Sequence, residues 1–208
     1  MSPPVPATLY RIAAAAGGGS AAVLLVNAAK RAEVIPTSAF TQLVAPLAQI
    51  LALALVTGLY FAFGRRTGTF GLVAFLLNAV ALCTLVGVEF VINLVFVDLP
   101  GDMIALLRAG PLGVALAVAS VLFLLGSVAF VAAMFNGREI PTAPLVLYAV
   151  GAVPVSLRAF VPELVLDLGL VVLAVAIAWL GSWLFTRSSD LDGWTTPPTP
   201  PVRQPVGA

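Results

Sequence analysis

Histidine is absent from all 208 residues of the chain. That absence removes the commonest ligand for haem, zinc and copper, the usual general base near neutral pH, and the base of Ser-His and Cys-His nucleophile chemistry. Cysteine occurs once, as Cys83, which excludes an intrachain disulfide. Its place in an apolar run reads as that of a small buried hydrophobe. No paired-carboxylate or other metal-ligand spacing is present, so no metal, cofactor or catalytic residue is expected, and the chain reads as not an enzyme. Charge is scarce as well. Asp, Glu, Lys and Arg make up 9% of the chain, against about 25% in a soluble domain. A net charge of +1 gives no reason to expect a nucleic-acid partner.

What is present is apolar. Hydrophobic residues account for 61% of the chain and the mean hydropathy is +1.11. Runs of about 18 or more apolar residues recur, each long enough to cross a hydrocarbon core of about 30 Å. The pattern predicts an all-α polytopic bundle with spans at 8–28, 41–63, 69–97, 111–135, 143–160 and 163–186. The turn Phe160–Pro162 makes the last two a tight hairpin, with Pro162 at a helix start, where a missing N–H costs nothing. Residues 1–187 then form one six-span domain. Residues 188–208, proline-rich and without apolar period, form a disordered tail of polyproline II character. Between the third and fourth spans, Asp102 is expected to cap a short interfacial helix from Met103 to Arg108 that Gly110 ends. Val26-Asn27-Ala28 has the small residues of a signal cleavage site. The leader carries only Arg11, so the first span reads as retained.

An even number of spans puts both termini on one face. Arg11, Arg65, Arg66, Arg138, Arg187 and Arg203 fall on that face; Lys30, Arg31, Arg108 and Arg158 fall on the other. The positive-inside rule then places both termini in the cytoplasm. Measured from the opposite, outer face, the polar residues inside the spans sort unevenly. Asn27, Gln42, Gln49, Glu89, Asn93, Arg158, Glu163 and Asp167 all lie in the outer half. Asn78, Glu89 and Asn93 share one face of the third helix, and Gln42 and Gln49 one face of the second. Pro46 and Pro154 loosen backbone hydrogen bonding in the same half.

An ionised carboxylate near the bilayer centre costs at least ~2.5–3.5 kcal/mol, so Glu89 needs a partner, water or a proton. Arg158 is the expected partner. It is also expected to tie together Glu163 and Asp167, which repel as like charges four residues apart. The candidate site is an outward-facing polar pocket between spans two, three, five and six. Its ligand- or proton-handling residues are Glu89, Asn93, Arg158, Glu163, Asp167 and Gln49. The plainer readings are interhelical hydrogen bonding for Glu89 and helix-end charges complementing dipoles for the others.

Ala13-Gly17-Ala21, Ala14-Gly18-Ala22 and Ala174-Ala178-Ser182 follow small-xxx-small spacing, which permits close helix approach within the chain or between copies. Trp179, Trp183 and Phe185 read as interfacial anchors. "LYRIA", residues 9–13, ahead of a Gly/Ala-rich first span, resembles the opening of a family of bacterial multi-pass membrane proteins without established activity. Size, span layout and the Arg65-Arg66 loop are similar too. The resemblance implies a multi-pass protein of the bacterial cytoplasmic membrane and carries over no functional residue.

Two function classes follow. The first is a non-enzymatic accessory, interaction or scaffold component, with the bilayer, a membrane protein or a second copy as partner. The second is a small-solute or proton-coupled transporter or channel built on the pocket around Glu89.

Overall fold

The computed structural model describes residues 6–192, and among these there is no strand. Long helices form over the apolar runs, and most of the breaks between them fall at a proline. Helix α1 covers Ala7–Arg31. The second apolar run is split into α2, Ala39–Val44, and α3, Leu47–Ala62. The break falls at Ala45-Pro46, because a proline has no N–H to donate and its ring crowds the preceding turn. Ser38 starts α2 through a reciprocal cap with Thr41. A tight turn at Gly64–Thr67 carries Arg65 and Arg66 into α4, Gly68–Phe90. The same run continues through a wide π turn, Val91–Val95, and a final tight turn, Phe96–Asp98. Helices α5, Gly101–Ala109, α6, Pro111–Gly137, α7, Thr142–Ser156, and α8, Glu163–Asp192, complete the chain.

Five of these segments are long and apolar enough to cross a membrane, and α7 is a shorter apolar helix. Large apolar side chains such as Leu76, Val121, Val150 and Val175 are exposed on the outside of the bundle. Water does not tolerate a belt of that kind on a monomer. The molecule has the build of a membrane-embedded helical bundle.

Each long helix packs on the next in sequence, and the last packs on the first. The order around the bundle is α1, α3, α4, α6, α7, α8 and back to α1, with α1 against α8 as the most extensive pairing. The crossings are close because glycine leaves room. A Cβ on Gly126 of α6 would sit 2.8 Å from Cα of Asn78 on α4, and one on Gly151 of α7 would sit 2.7 Å from the backbone nitrogen of Leu173 on α8. The small residues of α1 serve the same end. Ala13, Ala14, Gly17 and Ala21 are buried, with Ala13 against Gly58 and Gly17 against Leu55 of α3; of the stripe Ala14-Gly18-Ala22, however, Gly18 and Ala22 are on the outside.

Several expectations are corrected. Cys83 is exposed on the outer face of α4 rather than buried, because the inward stripe of that helix runs through Asn78, Ala81, Leu82 and Leu85. In the α8 stripe only Ala174 is buried; Ala178 and Ser182 are on the outside. Asp102 does not cap α5, which starts at Gly101 behind Pro100, so Asp102 sits in its first turn. The fifth span stops at Ser156, two residues beyond Pro154, rather than at 160. The last helix runs to Asp192, into the stretch expected to begin the tail. Residues 193–208, the rest of that stretch, lie outside the described residues.

Candidate functional site

The ring of helices encloses a half-open cavity of about 250 Å³ at the end where Arg31, Thr37 and Arg158 lie. Every helix of the ring contributes: Leu24 and Asn27 from α1, Gln49 from α3, Glu89 from α4, Phe123 from α6, Tyr148 from α7 and Leu170 from α8 all line it. Its base is apolar, built from Leu82, Leu85, Phe123, Leu173 and Ile177. Its rim is polar and charged.

Glu89 is the hub. Arg158 donates from Nη1 to Oε1 at 3.1 Å, and Asn93 donates from Nδ2 to Oε2 at 2.9 Å and to the Glu89 backbone carbonyl at 3.0 Å. The π turn begins directly after Phe90 and holds Asn93 at its centre. Such wide turns concentrate at functional positions. Lys30 of α1 closes the far side, donating from Nζ to Oδ1 of Asn93 at 2.6 Å. A second set lies beside it. Arg31 donates from Nε to Asp167 at 3.0 Å and approaches Glu163 at 3.7 Å. The carboxylates differ sharply in surroundings, since Asp167 is 17% exposed and Glu163 86%.

Arg158 reaches Glu89 because α7 is short. Fifteen residues at 1.5 Å each give about 22 Å, less than the thickness of a hydrocarbon core. The chain leaves the helix early, and the cation two residues past its end sits level with Glu89 rather than above it. Ser156, the last helical residue, donates to the Ala152 carbonyl at 2.7 Å.

The structure brings Glu89, Asn93, Arg158 and Gln49 together on the cavity wall, whereas Glu163 and Asp167 stand behind Arg31. The cation that joins Glu163 and Asp167 is Arg31, not Arg158. The wall also extends beyond spans two, three, five and six to include α1 and Phe123 of α6. The apolar run of the first span stops at residue 28, which leaves Lys30 and Arg31 outside it in the sequence, whereas α1 continues to Arg31. They stand three and four residues after Asn27, and that spacing is the signal that puts them on its face. Asn78 shares the inward stripe but lies beneath the cavity, where its Nδ2 meets the Tyr148 hydroxyl at 3.5 Å.

Two amides are unusual. Asn27 and Gln49 are each more than nine-tenths buried and line the cavity. Oδ1 of Asn27 and Oε1 of Gln49 are enclosed without a donor, so it is the amide nitrogens that meet the cavity. Buried polar groups are normally satisfied; these two oxygens are not, and what the cavity wall offers a guest is the two amide nitrogens as donors. Among the described residues no group of three carboxylate or thiol side chains is placed to hold a metal ion.

In comparisons with known proteins, the chain matches no family model, no curated protein and no solved structure. The opening "LYRIA" therefore assigns no family, and the reading of the site rests on its geometry.

Proposed function

We propose that the chain is a non-enzymatic, membrane-embedded protein that takes a small solute into the cavity around Glu89, as a carrier or channel does. The observation that supports this reading is the cavity itself, lined by all six ring helices, with an apolar base and a desolvated ion-pair network at its rim. A scaffold requires no such space, and the one complete small-residue stripe of α1, Ala13-Gly17-Ala21, is packed inside the chain rather than offered to a partner. The accessory reading is weaker for that reason.

The same reading counts α7 as a sixth, short span and sets both termini in the cytoplasm. Arg11, Arg65, Arg66, Arg138 and Arg187 gather at the closed end, where Arg11 meets Ser188 and Arg66 pairs with Glu139. The open end carries Glu33, Glu89, Asp98, Asp102, Glu163 and Asp167 against Lys30, Arg31, Arg108 and Arg158. By the positive-inside rule the cavity faces away from the cytoplasm, and the bacterial cytoplasmic membrane fits this arrangement.

Thiol accessibility tests the proposal. In a Cys83→Ser background, Ala52→Cys and Leu85→Cys place single thiols on the cavity wall. In sealed vesicles of known orientation both are expected to react with a water-soluble thiol reagent from the non-cytoplasmic side. Failure of both to react from either side ends the proposal; reaction only from the cytoplasmic side reverses the orientation.

A further inference from the structure

We propose that the cavity binds a small amphipathic monoanion, with its charged head between Lys30 and Arg158 and its apolar body on the base formed by Leu82, Leu85 and Phe123. This rests on the solute-binding reading above and specifies its ligand. Charge favours an anion. Lys30, Arg31 and Arg158 line the cavity, and Arg31 is taken up by Asp167 and Glu163. Lys30 and Arg158 share the single carboxylate of Glu89, Arg158 bonding it directly while the Lys30 Nζ bonds the neutral Asn93. Two cations on one carboxylate leave a positive charge at a rim only partly withdrawn from water, and an anionic head that displaces the remaining solvent pairs with it.

Hydrogen-bonding capacity points the same way. An ammonium has three donors and a guanidinium five; Lys30 gives one to Asn93, and Arg158 gives Nη1 to Glu89. The amide nitrogens of Asn27 and Gln49 add further donors on the same wall. A rim that offers donors and a spare positive charge recognises an acceptor-rich monoanion such as a carboxylate or a phosphodiester. Volume sets the size of the ligand. A cavity of ~150 Å³ holds benzene, so about 250 Å³ takes a ligand of roughly ten non-hydrogen atoms on that scale. A head of three atoms leaves an apolar body of about six or seven.

The test uses the full chain in neutral detergent and three probes of equal length: hexanoate, 1-hexanol and hexylammonium. Calorimetry is expected to show hexanoate binding with at least tenfold preference over both others. Lys30→Met is expected to weaken hexanoate by about 10- to 100-fold, the effect of one charge-assisted hydrogen bond. Lys30→Arg, which keeps the charge, is expected to stay within a few-fold, and Glu163→Gln to change nothing. A Lys30→Met protein that fails to fold leaves the probe comparison and Lys30→Arg to decide. Equal or tighter binding of hexanol or hexylammonium, or an unchanged Lys30→Met, overturns the anion proposal while leaving a solute cavity in place. No binding of any probe to a protein whose Ala52→Cys thiol remains accessible also overturns it; an inaccessible thiol brings down the solute-cavity reading itself. Nanodiscs with and without phosphatidylglycerol identify the source of the anion. Displacement of hexanoate by that lipid assigns the head group to a membrane lipid, and its absence assigns it to a free carboxylate, each consistent with the proposal.

Discussion

Arg158→Met measures how far the Glu89–Arg158 pair is withdrawn from water. Opposite unit charges 3.1 Å apart attract by about 5 kcal/mol at an effective dielectric constant of about 20, and by about 1.3 kcal/mol in bulk water. Side-chain exposures of 22% for Arg158 and 15% for Glu89 place the pair nearer the first figure. That attraction is an upper bound on the loss, because Asn93 and Lys30 remain beside the carboxylate. Arg158→Met is therefore expected to destabilise the fold by about 2–4 kcal/mol, as removal of one partner of a largely buried pair does.

Adding Glu89→Gln removes the stranded charge and is expected to recover at least about 1.5 kcal/mol, in the manner of other buried pairs. Reversible unfolding in mixed micelles, followed by far-ultraviolet circular dichroism, gives both numbers. A cost of Arg158→Met below about 0.5 kcal/mol refutes the claim that this pair is desolvated.

Three further outcomes are expected. Gly126→Val forces a side chain into the backbone of Asn78 and is expected to cost about 1–3 kcal/mol or more, whereas Gly18→Val, with open space around it, is expected to cost much less by the same unfolding measurement. Arg138 ends α6 with φ of 53°, a left-handed conformation that suits glycine. Arg138→Gly is therefore expected to stabilise the fold by up to about 1 kcal/mol. Cys83, on the outer face of α4, is expected to react in membranes with an apolar, membrane-permeant maleimide and to resist a charged one; equal labelling by both contradicts a lipid-facing position.

Much of the architecture was legible in the sequence because apolar run length and proline position are local signals. The same holds for the inward stripe of α4, where Asn78, Glu89 and Asn93 recur at helical spacing. The Glu89–Arg158 pair could be anticipated because a carboxylate among apolar residues demands a cation, and few were on offer. The rest depended on which helix neighbours which. Nothing in the sequence says that α1 packs on α8, and without that Arg31 has no visible route to Asp167. The exposure of Cys83 is hidden for a related reason: in a membrane protein an apolar residue is as comfortable outside as inside, so hydrophobicity alone does not choose the face. The early end of α7 needed Pro154 to be weighed as a helix terminator rather than as a kink.

The pairing of α1 with α8 also has a consequence in time. A ribosome delivers the first helix long before the last, so during synthesis Arg31 waits without Asp167, and Ala13, Ala14 and Gly17 lack part of their eventual neighbourhood. The enclosure seals only when the final segment arrives and docks against the oldest one. A chain halted after α7 should thus hold most of its helices yet possess no chamber, and quality-control proteases ought to recognise that difference.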